Sequence, residues 1–174
     1  MNCNGTVVVG NAVLITGGNS MQQLFSGVMT EKYAKEITHW KYEAPYDFYN
    51  LNSSTIKEFL ENEYAYVFDK NQGLVGFFCI GEAAQVPAGH KFGAYPEGFV
   101  DVGLGMKPEL TGKGNGSSFF SFILNQIPMN AHTSFRLTVA KFNQRAIRLY
   151  QKSGFVPAVE FKHNSTEFIT MVKE

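Results

Sequence analysis

The chain has 174 residues, and a hydrophobic fraction of 44% supplies enough apolar surface for the core of one compact domain. Its fifteen basic and fifteen acidic side chains cancel, so the composition excludes the basic footprint that draws proteins to nucleic acid or anionic lipid. Two cysteines are too few for a disulfide framework and favour a reducing, cytoplasmic location. We therefore expect one domain over residues 1–174, with neither nucleic acid nor membrane as a partner.

The N-terminal segment has the composition of a strand. Residues 6–16 are rich in β-branched side chains and lie between glycines, which predicts a strand or hairpin. Residues 1–19 are accordingly expected to form an N-terminal extension or an extra strand. The apolar run at residues 7–15 is short and is interrupted by Gly10 and Asn11, so it predicts neither a signal peptide nor a membrane span.

Two helices and an aromatic loop are predicted next. Apolar residues recur at spacings of three and four over residues 20–40, which predicts a helix that is broken near Gly27. A second helix is predicted to begin at residues 52–54. The segment between them, here called the aromatic loop (residues 40–49), carries five rings: Trp40, Tyr42, Tyr46, Phe48 and Tyr49.

A hairpin and a glycine-bearing strand follow. Residues 64–68 and 74–80 are strand-like runs joined by turn-forming residues, and residues 81–98 are predicted to be a loop. Residues 99–106 predict a strand whose two faces differ, because side chains alternate along a strand. One face is apolar, and the other carries Asp101, Gly103 and Gly105.

A glycine-rich turn at residues 111–116 stands where that strand leads into a predicted helix that ends before Pro128. Backbone amides that converge at a helix N-terminus favour a phosphate. The order of residues fails both the Walker pattern and the dinucleotide GxGxxG pattern, which argues against nucleoside triphosphates and NAD. On its own, the turn is equally consistent with a tight structural turn.

The C-terminal third alternates between strands and one short helix. Residues 135–140 predict a strand, and residues 143–153 predict a helix that Gly154 ends as its C-cap. Residues 155–161 and 167–172 predict two final strands. The four histidines show no metal-ligand spacing, so no metal site is expected. The order of elements predicts a mixed α/β (α+β) fold.

Two motifs of this chain together resemble those of the GNAT superfamily of N-acetyltransferases. The first family motif, Arg/Gln-x-x-Gly-x-Gly/Ala, is matched by Thr111, Gly114 and Gly116, with threonine in place of the usual Arg or Gln. The second, Asn-x-x-Ala-x-x-x-Tyr-x-x-x-Gly-Phe, is matched without departure by residues 143–155. The resemblance covers residues 100–161 firmly and implies a single acetyltransferase domain.

The family fold that this resemblance implies is a central mixed, mostly antiparallel sheet with helices on both faces. Its two middle parallel strands splay apart and admit the pantetheine arm of the cofactor, acetyl-CoA. The implied cofactor-binding residues comprise a strand end, the glycine-rich turn and a later helix: Leu104, Gly105, Met106, Thr111, Gly112, Lys113, Gly114, Asn115, Gly116, Ser117, Asn143 and Tyr150.

Acetyl transfer needs a neutral amine and a proton for the departing thiolate. Tyr150 matches the family's proton donor, and its seven-residue spacing from Asn143 places both on one helix face. The alternative is that Tyr150 is a core residue. Asp101 and Glu82 are candidate bases, although each is also suited to anchoring a substrate ammonium or to a solvated strand end, and water can replace a base.

The acceptor that we expect is an amine of a small molecule, peptide or protein. The resemblance places the acceptor pocket between the first two helices, so the expected substrate-binding residues are Trp40, Tyr42, Tyr46, Glu82 and Asp101, with core packing as the alternative role for the rings. The chain is expected to be a monomer or homodimer. The competing interpretation is a non-catalytic acyl-CoA-binding module, for which the threonine at position 111 is the indication.

Overall fold

The structure is a computed structural model that describes residues 13–14, 23–130 and 132–174. The described chain forms two compact units. The first unit comprises Met1–Cys79 and Leu104–Pro128, and the second comprises Ile80–Gly103 and Met129–Glu174.

The strands of the first unit pair antiparallel, in the order β1-β2-β3-β4. Their bounds are β1 Val13–Leu14, β2 Gln23–Val28, β3 Tyr64–Asp69 and β4 Gly73–Ile80. The predicted hairpin is therefore confirmed as β3 and β4. The predicted strand or hairpin at residues 6–16 lies outside the described residues except for β1, whose Val13 pairs with Leu24.

Three helices complete the first unit: α1 Glu31–Thr38, α2 Thr55–Glu61 and α3 Gly116–Gln126. The Thr30 hydroxyl caps α1 by accepting a hydrogen bond from the amide of Tyr33, at 3.4 Å. The aromatic loop lies between α1 and α2, as predicted, and contains a 3₁₀ turn at Tyr46–Tyr49. Helix α3 buries four apolar side chains, Phe119, Phe120, Phe122 and Ile123, which form a large part of the core of this unit.

The predicted helix over residues 20–40 is wrong in its first half, because Gln23–Val28 form β2 and the helix begins only at Glu31. The spacing of Leu24, Phe25 and Val28 fits a helix, but pairing with β3 makes this segment a strand. Gly27 allows this pairing, since the ring of Tyr66 lies on its backbone and an added Cβ would be 2.5 Å from the Tyr66 hydroxyl.

The second unit contains the strand order β5-β6-β8-β7 and one helix, α4 Gln144–Lys152. The strands are β5 Phe99–Met106, whose last three residues belong to the first unit, β6 Ser134–Ala140, β7 Val156–His163 and β8 Thr166–Lys173. Residues 81–98, predicted to be a loop, contain two 3₁₀ turns, Gly81–Ala84 and Pro87–Phe92. The second turn begins with a proline, whose ring fixes φ near the value that a helical turn requires.

One pair of strands is parallel and all other pairs with a described register are antiparallel, which confirms the predicted mixed, mostly antiparallel sheet. The parallel ladder between β5 and β6 has three described pairs and ends where Asp101 pairs with Arg136. Strand β6 continues to Ala140 on its other side, paired with β8. Such a short parallel ladder is expected where two neighbouring strands diverge.

Gly76 of β4 lies directly beneath the ring of Phe119, and an added Cβ would stand 2.7 Å from the carbonyl oxygen of Gly105. Neither a buried ring nor a strand backbone can yield at low cost, so we expect Gly76→Ala to lower the free energy of unfolding by roughly 1–3 kcal/mol. Urea unfolding measures this change. An unchanged midpoint would show that the core around Phe119 is not packed as described.

Candidate functional site

The glycine-rich turn of the first unit adopts a conformation that requires its glycines. Gly112 has a φ of 71° and Gly114 a φ of 83°, both in the left-handed region that side-chain-bearing residues rarely enter. The turn leads directly into α3 at Gly116. The predicted arrangement of strand, glycine-rich turn and helix is therefore confirmed.

Side-chain hydrogen bonds hold the turn together. The Thr111 hydroxyl donates to the carbonyl of Pro108 at 2.8 Å, and the buried Asn115 donates from Nδ2 to the carbonyl of Leu110 at 3.0 Å. The first hydrogen bond of α3 runs from the amide of Phe119 to the carbonyl of Asn115, at 3.1 Å. The amides that precede Phe119 in the helix have no intrahelical acceptor, as at any helix N-terminus.

The last three residues of β5 lie in the same unit as the turn. The amide of Lys107 donates to the carbonyl of Val75 at 2.8 Å, which keeps this end of β5 against β4. Gly105 is required here, because an added Cβ would lie 2.5 Å from the ring of Phe77. The backbone of Leu104 and Gly105 is half-buried. The face of β5 that carries Gly105 is therefore covered at this position by the ring of Phe77.

The aromatic loop contains rings in different environments. Trp40 is 7% exposed and its ring lies 6.3 Å from that of Phe77, whereas Phe48 is 51% exposed. Tyr46 is half-buried. Only part of the predicted aromatic wall is therefore accessible, and Trp40 is packed as a core residue.

Tyr42 connects the aromatic loop to β5. Its hydroxyl donates to the carbonyl of Met106 at 2.7 Å. Burial, and to a smaller extent the carboxylate of Glu109, raise the pKa of Tyr42 well above its usual range, so the hydroxyl remains a donor. Sequence analysis missed this contact, because the two residues are 64 positions apart and no motif spans them.

Helix α4 of the second unit carries the residues of the second motif. The Asn143 side chain is the N-cap and accepts a hydrogen bond from the amide of Ala146 at 3.1 Å. Tyr150 is the buried residue of α4, at 7% exposure, and its ring lies 6.3 Å from that of Phe155. Ser153 is the C-cap, and Gly154, which was predicted to be the C-cap, follows it with a φ of 89°.

Asp101 forms a buried ion pair with Arg136, a residue that sequence analysis did not select. The Nε and Nη2 atoms of Arg136 donate to the two carboxylate oxygens at 2.6 and 2.7 Å, and Gln85 Nε2 donates to Oδ2 at 2.7 Å. The side chains of Asp101 and Arg136 are 5% and 3% exposed. Both oxygens of this buried carboxylate already accept hydrogen bonds, so the geometry favours a structural role over the expected catalytic or substrate-binding one.

The same arginine holds the segment between β4 and β5. Its Nη1 donates to the carbonyl of Pro96 at 2.8 Å, and its guanidinium lies 5.0 Å from the centre of the Tyr95 ring. The Tyr95 hydroxyl in turn accepts from the amide of Val86 at 2.8 Å, and burial raises the pKa of Tyr95. Residues 85–96 are therefore tied to β5 and β6 through buried polar contacts.

Glu82, the other candidate base, lies in the 3₁₀ turn Gly81–Ala84 and is exposed. Its carbonyl accepts from the amide of Gln85 at 3.0 Å, so the backbone of the turn is anchored while the carboxylate faces solvent. In the part of the chain that the structure describes, no cluster of three or more His, Cys, Asp or Glu side chains could hold a metal ion. No helix among the described residues is long and apolar enough to cross a membrane.

The family comparison identifies a match over most of the chain. The sequence model described as "Acetyltransferase (GNAT) family" matches residues 27–155. This range contains both motifs, the aromatic loop and the glycine-rich turn. No curated protein is significantly similar to the chain in sequence.

Solved structures with the same fold are distant in sequence. A protein proposed to be a phosphinothricin N-acetyltransferase has a TM-score of 0.64 and 14% identity, covering 87% of this chain and 98% of its own. A spermidine N-acetyltransferase chimera of Vibrio cholerae SpeG and hSSAT has a TM-score of 0.57 and 19% identity, covering 86% and 93%. A Salmonella typhimurium protein proposed to be an acetyltransferase, solved with its cofactor acetyl-CoA, has a TM-score of 0.52 and 13% identity, covering 87% and 93%.

Proposed function

Because the chain belongs to the acetyltransferase (GNAT) family, whose cofactor is acetyl-CoA, we propose that it transfers an acetyl group directly to a primary amine of a small molecule or a peptide. The observation that carries this proposal is the glycine-rich turn, whose two left-handed glycines precede the free amides of α3. This arrangement binds a diphosphate without needing a basic side chain.

The residues proposed to hold the cofactor lie at two places in the first unit. The amides of residues 112–117 would bind the diphosphate, and the backbone of residues 104–106 would pair with the pantetheine amides. Thr111 supports the turn through its bond to Pro108 and is not needed as a ligand. When bound, acetyl-CoA supplies the acetyl thioester. In the second unit, Asn143 is proposed to lie beside the pantetheine arm.

Tyr150 is proposed to donate the proton that the departing thiolate needs. A tyrosine side chain is neutral near pH 7, as a proton donor must be before the reaction. Glu82 is proposed either to accept a proton from the amine or to anchor its ammonium form, since its carboxylate is exposed and free of a structural ion pair with any described residue. A chain of water molecules would serve equally as the base.

The aromatic loop is proposed to contact the amine acceptor through Tyr42 and Tyr46. Aromatic faces attract cations, and a polyamine is therefore a suitable first probe. A solved protein of the same fold is a spermidine N-acetyltransferase, which supports the choice of spermidine without assigning it as the substrate. Protein N-termini and lysine side chains belong to the same chemical class and complete the probe panel.

A non-catalytic acyl-CoA-binding module is the second candidate. The observation that favours it is Thr111, which replaces the long donor of the family motif and bonds to its own turn. Titration with acetyl-CoA and a thiol-release assay with spermidine, phosphinothricin, lysine and peptide amines separate the two functions. Thiol release that depends on an amine supports the enzyme, whereas binding without release supports the module.

Gly114→Val should weaken acetyl-CoA binding by about tenfold or more, because a β-branched residue cannot hold the left-handed conformation and at least one charge-assisted bond worth ~1.5 kcal/mol is lost. Gly93→Val is the matched control, since Gly93 has a φ of 67°, equally open space around its Cβ position, and a place in the second unit. Calorimetry measures both affinities. Equal losses in the two variants would contradict the role of the turn.

A further inference from the structure

Tyr42 joins the aromatic loop to the carboxyl end of β5 through a hydrogen bond. Its hydroxyl lies 2.7 Å from the carbonyl oxygen of Met106. The amide of the next residue, Lys107, points to β4, where it donates to the carbonyl of Val75 at 2.8 Å. Because the N–H and C=O of a trans peptide point in opposite directions, the Met106 carbonyl faces away from β4.

The backbone of Tyr42, at the loop end of this hydrogen bond, is also held in place. Asn50 closes the loop on the backbone of Tyr42, since its Oδ1 accepts from the Tyr42 amide at 2.7 Å and its Nδ2 donates to the Tyr42 carbonyl at 3.3 Å. The Tyr42 ring is half-buried, and the raised pKa described above keeps its hydroxyl protonated. These hydrogen bonds connect the Met106 peptide to the backbone of the aromatic loop through Tyr42.

We propose that Tyr42 is a positioning residue, which couples binding of the cofactor along β5 to the conformation of the aromatic loop. The inference rests on the proposed function, in which pantetheine pairs with the backbone near Met106 and the loop contacts the amine. A carbonyl oxygen has two lone pairs, so the Met106 carbonyl can keep its bond to Tyr42 while it accepts a second donor. Cofactor binding thereby fixes the peptide, and Tyr42 fixes the loop for the acceptor.

The chain contains its own reporter for this coupling. Trp40 is its single tryptophan and stands two residues before Tyr42. Its ring is buried, and Nε1 has no hydrogen-bond partner among the described residues, so small changes in the loop alter its surroundings. Its fluorescence emission therefore reports on the aromatic loop without a known amine substrate.

The experiment titrates coenzyme A alone into the wild-type chain, Tyr42→Phe and Tyr33→Phe, and records the affinity by calorimetry and the emission of Trp40. Tyr33→Phe is the matched control, because it removes the same hydroxyl from a tyrosine of α1 that packs against Tyr66. We expect coenzyme A to shift the emission in the wild type and in Tyr33→Phe, and to leave it unshifted in Tyr42→Phe, with dissociation constants within about twofold of one another.

Asn50→Ala provides a second test from the loop side, because it leaves the Tyr42 hydroxyl in place and removes its backbone anchor. We expect this variant also to lose the emission shift while binding coenzyme A.

The outcomes separate the inference from the proposed function. Absence of coenzyme A binding to the wild type would overturn the proposed function itself. Normal binding with an equal emission shift in the wild type and Tyr42→Phe would overturn the coupling alone. Tighter binding of coenzyme A to Tyr42→Phe would also overturn it, because the hydroxyl would then compete with the cofactor for the Met106 carbonyl.

Discussion

Replacing Arg136 with methionine should lower the free energy of unfolding by about 3–5 kcal/mol, the cost of leaving one partner of a buried ion pair without the other. Three of the hydrogen bonds described for Arg136 are lost together, two to Asp101 and one to the carbonyl of Pro96. Asp101 then remains buried with only the Gln85 amide as a described donor. Urea or thermal unfolding of the variant measures the loss.

The exposed ion pair of Lys35 with Glu31 is the matched control. Its atoms are equally close, at 2.6 Å, but both side chains are more than half exposed. Solvent screens such a pair, so Lys35→Met should leave the midpoint of unfolding almost unchanged. A double variant, Asp101→Leu with Arg136→Met, should recover part of the stability because neither charge is left buried alone. Equal effects of Arg136→Met and Lys35→Met would show that the Asp101 pair is not buried.

Tyr150→Phe should lower the turnover number by about 10²- to 10⁴-fold, which is the usual contribution of a positioned acid. The ring remains, so its packing near Phe155 is kept and acetyl-CoA affinity should change little. Steady-state kinetics with saturating acetyl-CoA, together with calorimetry of coenzyme A binding, separates the two quantities.

Tyr33→Phe is the control for the loss of a tyrosine hydroxyl, and its turnover number should equal that of the wild type. Unchanged turnover in Tyr150→Phe would remove the acid role and leave Tyr150 as a core residue, in keeping with its 7% exposure. A proportional fall in both affinity and turnover would instead indicate that the hydroxyl supports the binding of the cofactor.

Local sequence patterns predicted several elements from β3 onward well. The hairpin of β3 and β4, the turn before α3 and the helix capped by Asn143 each depend on residues close together in the chain, so turn and cap chemistry identified them. The motif spacing also located the proposed cofactor residues. In these regions local propensity and tertiary structure agree.

The errors arose where distant residues decide the outcome. Strand β2 was predicted to be helical because its pairing with β3, roughly forty residues later, is invisible to a short window. The buried ion pair of Asp101 was missed for the same reason, since Arg136 lies 35 positions away and only the register of two parallel strands brings it near. The bond between Tyr42 and Met106 likewise spans 64 positions and had no signal in the sequence.

Calorimetric titration of the wild-type chain with coenzyme A tests directly whether the glycine-rich turn holds the cofactor. We propose that the amides of residues 112–117 hold its diphosphate at the start of α3. We predict saturable binding that Gly114→Val weakens and Gly93→Val leaves intact. An absence of measurable heat with folded wild-type protein would contradict the claim, and with it the proposed roles of the turn and of the end of β5.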